Sequence, residues 1–241
     1  MTAANLIVVA GAAHLLVDRG SYHDDGTLLA IGPKWIADER LRLAMTLSGC
    51  AAATAYRDLA TWLSGLKSQR EFLSALPAHL TAMERYNLAS MAEGGSEYCG
   101  PMPTFVQAYV ALWSIERRQP EAYICGSSHG TFAGYQPGQV CGVGRVLQPM
   151  TQFEVVSDQF DVAAARELIE LQRQETDERG IHRVGGGADM ASVSRDGIKV
   201  EPVVCWREDR VGRKIQPGRK AYAWLRPLAA GRPRQRAHAH G

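Results

Sequence analysis

Two short apolar runs, Leu6–Ala10 and Leu15–Val17, open the chain and flank a turn that contains Gly11. That pattern predicts a β-hairpin. Ser21–Gly26 reads as a polar loop, Thr27–Ile31 as a short strand, and Lys34-Trp-Ile with Leu41–Leu47 as a strand pair around Asp38-Glu-Arg. An Ala-rich stretch follows from Cys50, with Ala52, Tyr56, Leu59, Leu63 and Leu66 on one face, which is helical spacing. A second helix is expected to start near Pro77, a residue suited to a first helical turn, and to stop at Glu93-Gly94-Gly95. Beyond a Gly/Pro-rich connector, Gly94–Pro103, the chain returns to strands: Phe105–Ile115, Ala122–Cys125 and Val140–Leu147. Phe160–Arg179 predicts a helix capped by Asp161. Met190–Val193 and Ile198–Trp206 predict a last hairpin about the turn Ser194–Gly197.

Strands and helices thus come in segregated runs, which indicates an α+β fold and not a βαβ alternation. Two antiparallel sheets face to face, with helices on both outer faces, would bury every apolar stretch. The expectation is a four-layer αββα sandwich. The domain is expected to span residues 1–206, with residues 207–241 as a basic extension. From Arg207 onward ten Lys/Arg stand against two Asp/Glu, whereas the preceding part has 17 against 23. The end of that extension, from Gly231, is rich in Arg, Pro and His, lacks apolar periodicity, and is expected to be disordered.

No apolar run approaches a membrane span, and the first run lacks the length and basic flank of a signal peptide. The five cysteines (Cys50, Cys99, Cys125, Cys141, Cys205) are odd in number and form no Cys-x-x-Cys. A disulfide framework and a zinc knuckle are therefore not expected, and a reducing cytoplasm is. The scattered histidines predict no metal site, and nothing in the sequence calls for a cofactor.

One arrangement carries chemistry. Thr2 follows the initiator Met1, Asp18 stands sixteen residues on at the end of the second apolar run, and Lys34 sixteen further. A threonine hydroxyl is a poor nucleophile until a base takes its proton. Removal of Met1 would give Thr2 a free α-amine of reference pKa about 8, so one residue supplies nucleophile and base. The amine must be neutral to act, and a nearby ammonium such as Lys34 lowers its proton affinity. Asp18 would fix Lys34. The oxyanion of the tetrahedral intermediate needs a backbone N–H, and Gly49, between a strand and a helix, is a natural donor.

In these residues the chain resembles the proteasome-type N-terminal nucleophile hydrolases: proteasome β subunits and the bacterial ATP-dependent peptidase of the same fold. The residues carried over are Thr2, Asp18 and Lys34, with Gly49, in Thr46-Leu-Ser-Gly, as the oxyanion-hole glycine one residue later than usual. The resemblance covers about Thr2–Trp206 and implies a threonine-type peptidase or amidohydrolase acting on a peptide or amide substrate. It further implies a homo-oligomer, which can be a ring, and allows an ATPase partner. Two turns depart from the family. Cys141-Gly142-Val143-Gly144 has Val where a supporting Ser stands, and His182-Arg-Val-Gly-Gly-Gly187 has His182 for an Asp and Gly185 for a Ser.

Other signals have plainer readings. His182 reads as a turn histidine or structural substitute. His129, in Gly126-Ser-Ser-His-Gly130, reads as turn chemistry. Gly185–Gly187 lacks the partners of a phosphate loop, and Arg117-Arg118 reads as a solvated hairpin tip. Two rival functions follow: an inactive subunit of the same fold serving structure or assembly, and, more weakly, a nucleic-acid-associated protein led by the basic tail.

Overall fold

The structure, a computed structural model, describes residues 3–49, 55–92, 105–127, 136–149 and 160–218. The expectations placed on Thr2, Ala52, Gly94–Pro103, His129 and the tail from Gly231 lie outside the described residues. In chain order the elements are β1 (Ala4–Val9), β2 (Ala12–Asp18), β3 (Gly20–Tyr22), β4 (Leu28–Ile31), β5 (Ile36–Asp38), β6 (Leu43–Gly49), α1 (Ala55–Gly65) and α2 (Gln69–Ala92). They continue as β7 (Val106–Ser114), β8 (Gln119–Gly126), β9 (Val140–Val143), β10 (Arg145–Val146), α3 (Val162–Gln174), β11 (Ala188–Ser194) and β12 (Gly197–Val204).

Two five-stranded antiparallel sheets carry the fold, ordered β10-β1-β2-β11-β12 and β5-β6-β7-β8-β9, beside a small β3-β4 ribbon. In the first hairpin Leu6 pairs with Leu15 and Ala4 with Val17. These residues, with Ala13, Ala191 and Val193, meet Ala44, Tyr109, Ala111, Ala122 and Ile124 of the second sheet in one buried cluster. Strand β2 lies over β7, β1 over β8 and β11 over β7 and β6. The intervening residues point the other way, as the two-residue period requires. Leu43, Met45, Leu47, Val106, Ala108 and Val110 form a second cluster with Leu59 and Leu63 of α1 and Phe72, Leu76 and Leu80 of α2. Ile7, Leu16 and Met190 form a third with Ala165, Leu168 and Ile169 of α3. Both faces of each central strand are therefore apolar, which explains their nearly continuous hydrophobic runs.

Asp161 caps α3 as expected, its carboxylate accepting the Ala164 N–H at 2.9 Å. The helix ends at Gln174 and not at Arg179, and the chain between Glu175 and Gly187 forms no helix or strand. The second helix corrects the reading of Pro77, which lies inside α2. Its true start is set by Ser68, whose Oγ accepts the Glu71 N–H at 3.1 Å while the Glu71 carboxylate turns back to the Lys67 N–H at 2.7 Å. That is a Ser-x-x-Glu capping signature, and it outweighs the proline's preference for a first turn. Gln69, next to the cap, bonds the carbonyls of Leu41 and Trp113 and so pins the helix to the sheet beneath it.

The expected loop Ser21–Gly26 is also corrected, because its first two residues belong to β3, paired with β4 and broken by a bulge between Ser21 and Tyr22. Lys34 and Trp35 precede β5 instead of lying within it. The segment after β12 packs back on the domain. Leu28 exchanges backbone hydrogen bonds with Arg213 and Gly212, and Asp209 and Ile215 are buried. Among the described residues no helix is long and apolar enough to cross a membrane.

One buried group makes stability depend on pH. His14 on β2 lies against Phe160, its Nδ1 at 2.9 Å from Ser192 Oγ, and burial lowers its pKa from 6.5 to about 4. The folded chain therefore holds this imidazole neutral while the unfolded chain protonates it. The stabilisation is complete above the unfolded value and is lost as pH falls toward the folded one. Between about pH 7.5 and 4.5, His14 should account for a loss of roughly 2–3 kcal/mol. Urea unfolding of wild type and His14→Gln across that range measures it; parallel pH dependences would disprove it.

Candidate active site at the end of the first hairpin

Strand β2 ends at Asp18, whose side chain is fully buried. A bare carboxylate there would be prohibitively unstable, so the geometry depends on the donors that surround it. Oδ1 accepts the Ala3 N–H at 3.0 Å and the Lys34 ammonium at 2.7 Å. Oδ2 accepts the Tyr22 hydroxyl and the backbone N–H groups of Gly20 at 3.3 Å and Gly185 at 3.4 Å. Ala3 is the residue that follows Thr2, so the same carboxylate oxygen holds both the start of the described chain and Lys34.

Lys34 is brought in by the crossover between the two sheets. Its own carbonyl accepts the Thr46 hydroxyl of β6 at 2.5 Å, and its neighbour Trp35 donates its indole N–H to Asp189 of β11 at 3.1 Å. One residue is thus anchored to each sheet, and the side chain between them has little freedom. The ammonium also donates to the Gly20 carbonyl at 2.5 Å. Burial lowers the Lys34 pKa from its ordinary value, opposed by the Asp18 charge and hydrogen bond. A lysine in this state is an easier proton donor than a solvated one.

Gly49 closes β6, the strand that holds Lys34 through Thr46. Its φ is +95°, and a Cβ there would come within 2.2 Å of the Phe105 carbonyl oxygen. Only glycine fits this backbone. Asp18 and Lys34 therefore meet, Gly49 stands at the end of an adjoining strand, and Thr2 lies outside the described residues.

The departures at 182–187 acquire a physical form. The His182 ring nitrogen Nδ1 lies 2.9 Å from the Glu175 carbonyl, which makes it a loop-holding residue. At Gly185 a Cβ would meet Ile215 Cδ1 at 2.4 Å and Asp209 Oδ2 at 2.7 Å. The room that a side chain would use is taken by the segment after β12. Asp209 accepts the Gly186 N–H at 2.6 Å and is held by both Arg173 nitrogens, at 2.7 and 2.8 Å. Arg173 also lies over the Trp206 ring at 4.2 Å. Val143, at the other altered turn, ends β9 and packs against the inner cluster.

Sequence reasoning missed Tyr22 and Asp209. Tyr22 fell inside a polar stretch, and Asp209 in a basic one. The Ser-x-x-Glu signature could have found the α2 start, but no local signal marks these two.

Comparison with models of known protein families gives no match, nor does comparison with curated proteins. Among solved structures the chain is similar to Anbu (a Gly-1 mutant) from Hyphomicrobium sp. strain MC1. The TM-score is 0.52 at 12% sequence identity, covering 87% of this chain and 89% of that one. The fold is proteasome-like. At that identity the likeness extends to the fold and no further.

The Arg173–Asp209 pair is a sharp test of this loop's support. Asp209→Asn leaves the buried guanidinium with the half-exposed Glu208 at 3.4 Å as its remaining counter-charge. The expected loss is about 3 kcal/mol or more in urea unfolding. Replacing both partners, as Arg173→Met with Asp209→Leu, should recover most of it; equal losses in the single and double variants would contradict the assignment.

Proposed function

We propose that this chain is a proteasome-type hydrolase in which Thr2, freed by removal of Met1, attacks the carbonyl of a peptide or related amide. The observation that supports it best is the shared Asp18 oxygen: Lys34 at 2.7 Å and the amide next to Thr2 at 3.0 Å. In this reading the Thr2 α-amine takes the hydroxyl proton, directly or through water, and Lys34 keeps that amine neutral by its charge. Asp18 holds Lys34. The Gly49 N–H, on a backbone that admits no other residue, receives the developing oxyanion. The protonated amine then gives its proton to the departing nitrogen as the amide C–N bond breaks, and the acyl-enzyme is released by water that the neutral amine activates.

The same reading takes the two sheets and the three helices as the four-layer αββα sandwich of these hydrolases. It treats residues 1–206 as the hydrolase domain and 207–241 as a basic extension whose first part, through Ile215, packs back on that domain, and it expects a cytoplasmic homo-oligomer. A second reading, an inactive subunit of the same fold, draws support from Gly185, where Asp209 and Ile215 leave no room for the hydroxyl side chain that the family carries.

Intact mass of the purified protein should show the chain shortened by Met1. A panel of small fluorogenic peptides should then be hydrolysed by wild type, with activity lost in Thr2→Ala. Lys34→Ala, checked for folding by circular dichroism, should reduce it by roughly 100-fold or more. Activity should fall as pH drops below the amine's pKa, about 8 in free form. Retention of Met1, together with rates that do not distinguish wild type from either variant, would favour the inactive subunit.

A further inference from the structure

Among the groups that surround the Lys34 ammonium are the Asp18 carboxylate, the Gly20 carbonyl and the ring of Tyr22, whose centroid lies 5.5 Å from Nζ. Tyr22 contacts this set twice. Its ring faces the ammonium, an attractive placement for a cation over a π face. Its hydroxyl donates to Asp18 Oδ2, the oxygen that Lys34 does not use. The other two donors to Oδ2 are backbone N–H groups at 3.3 and 3.4 Å, near the outer limit of a hydrogen bond. Tyr22 is therefore the donor that decides which way the carboxylate faces.

The local backbone is built for this contact. Gly20 and Tyr22 lie two apart on β3, and the bulge between Ser21 and Tyr22 sets the aim of the side chain. A Cβ on Gly20 would come within 2.2 Å of the phenol oxygen and 2.5 Å of the carbon that bears it. The tyrosine can seat only because residue 20 is glycine. Burial, then the Asp18 charge, raise the phenol pKa well above its ordinary value, so the hydroxyl keeps its proton and remains a donor.

We propose that Tyr22 is a positioning residue of the Asp18–Lys34 site, fixing the carboxylate so that Oδ1 alone is presented to the lysine and to the N-terminal strand. The inference rests on the hydrolase reading for its role in turnover, but not for its effect on Lys34. Without the phenol, Oδ2 loses its strong donor, and the carboxylate turns to share both oxygens with the ammonium. The lysine then gains proton affinity and shifts from its position beside the strand.

Tyr22→Phe keeps the ring and removes the hydroxyl. Gly20→Ala keeps the hydroxyl and displaces it. The Lys34 titration is followed by NMR of its 13Cε signal, assigned with Lys34→Arg. Its midpoint should rise by about one pH unit in both variants. Peptide hydrolysis should lose roughly tenfold in kcat with KM unchanged. An unmoved Lys34 midpoint in folded Tyr22→Phe would overturn the proposal, whatever the activity. If wild type hydrolyses nothing, the hydrolase reading fails while the titration still decides this one. Failure of both variants to fold would replace positioning with a purely structural role.

Discussion

The fold around the candidate site depends on the burial of a single carboxylate. Asp18 sits at the end of a central strand with no access to water, and among the described residues five groups donate to it and stabilise it there. Those donors come from the N-terminal strand, the β3 ribbon, the crossover at Lys34 and the loop before β11. Strand pairing and backbone hydrogen bonds already bring these segments near one another, and the carboxylate gives them one shared partner. A buried pair of opposite charges is weak evidence for stability in itself. Here its effect is one of address, because it selects where four separate backbone segments must end.

The loop from His182 to Gly187 shows the same logic one step further out. It has glycines where side chains would otherwise project, and the vacated room is filled from the far end of the chain. Asp209 and Ile215 occupy the space over Gly185, and Arg173 on α3 holds Asp209 from behind. The acidic side chain thus serves the loop from outside it, so the site's support is distributed over segments more than thirty residues apart.

Much of the fold could be read in the sequence because it is written in local patterns. The first hairpin, the apolar runs of β6 and β7, the Asp161 cap and the final hairpin each have a composition or a turn residue of their own. The meeting of Asp18 with Lys34 could also be anticipated, because an ammonium set beside an N-terminal amine calls for a carboxylate to fix it, although Lys34 precedes β5 instead of lying in the expected strand. Tyr22 could not. A three-residue strand with a bulge has no period, and its aim depends on a glycine two residues earlier. Asp209 could not either, because a buried acid in a basic segment is intelligible only once Arg173 is seen behind it. The Pro77 error had a different cause. A proline marks a first helical turn only by preference, whereas the Ser68–Glu71 cap satisfies free N–H groups that the proline cannot.

The two crossovers between the sheets carry a mechanical consequence. At one rim the chain passes from β9, in the second sheet, to β10, in the first, across the single residue Gly144. At the other rim it enters β5 through Lys34 and Trp35, each fastened to a different sheet. The pair of sheets is therefore riveted along both edges, and sliding of one sheet over the other is resisted at each. Any such shear, whether from a ligand or a neighbouring subunit, would strain the second rivet directly, and the lysine there would register it as a change in its own proton affinity.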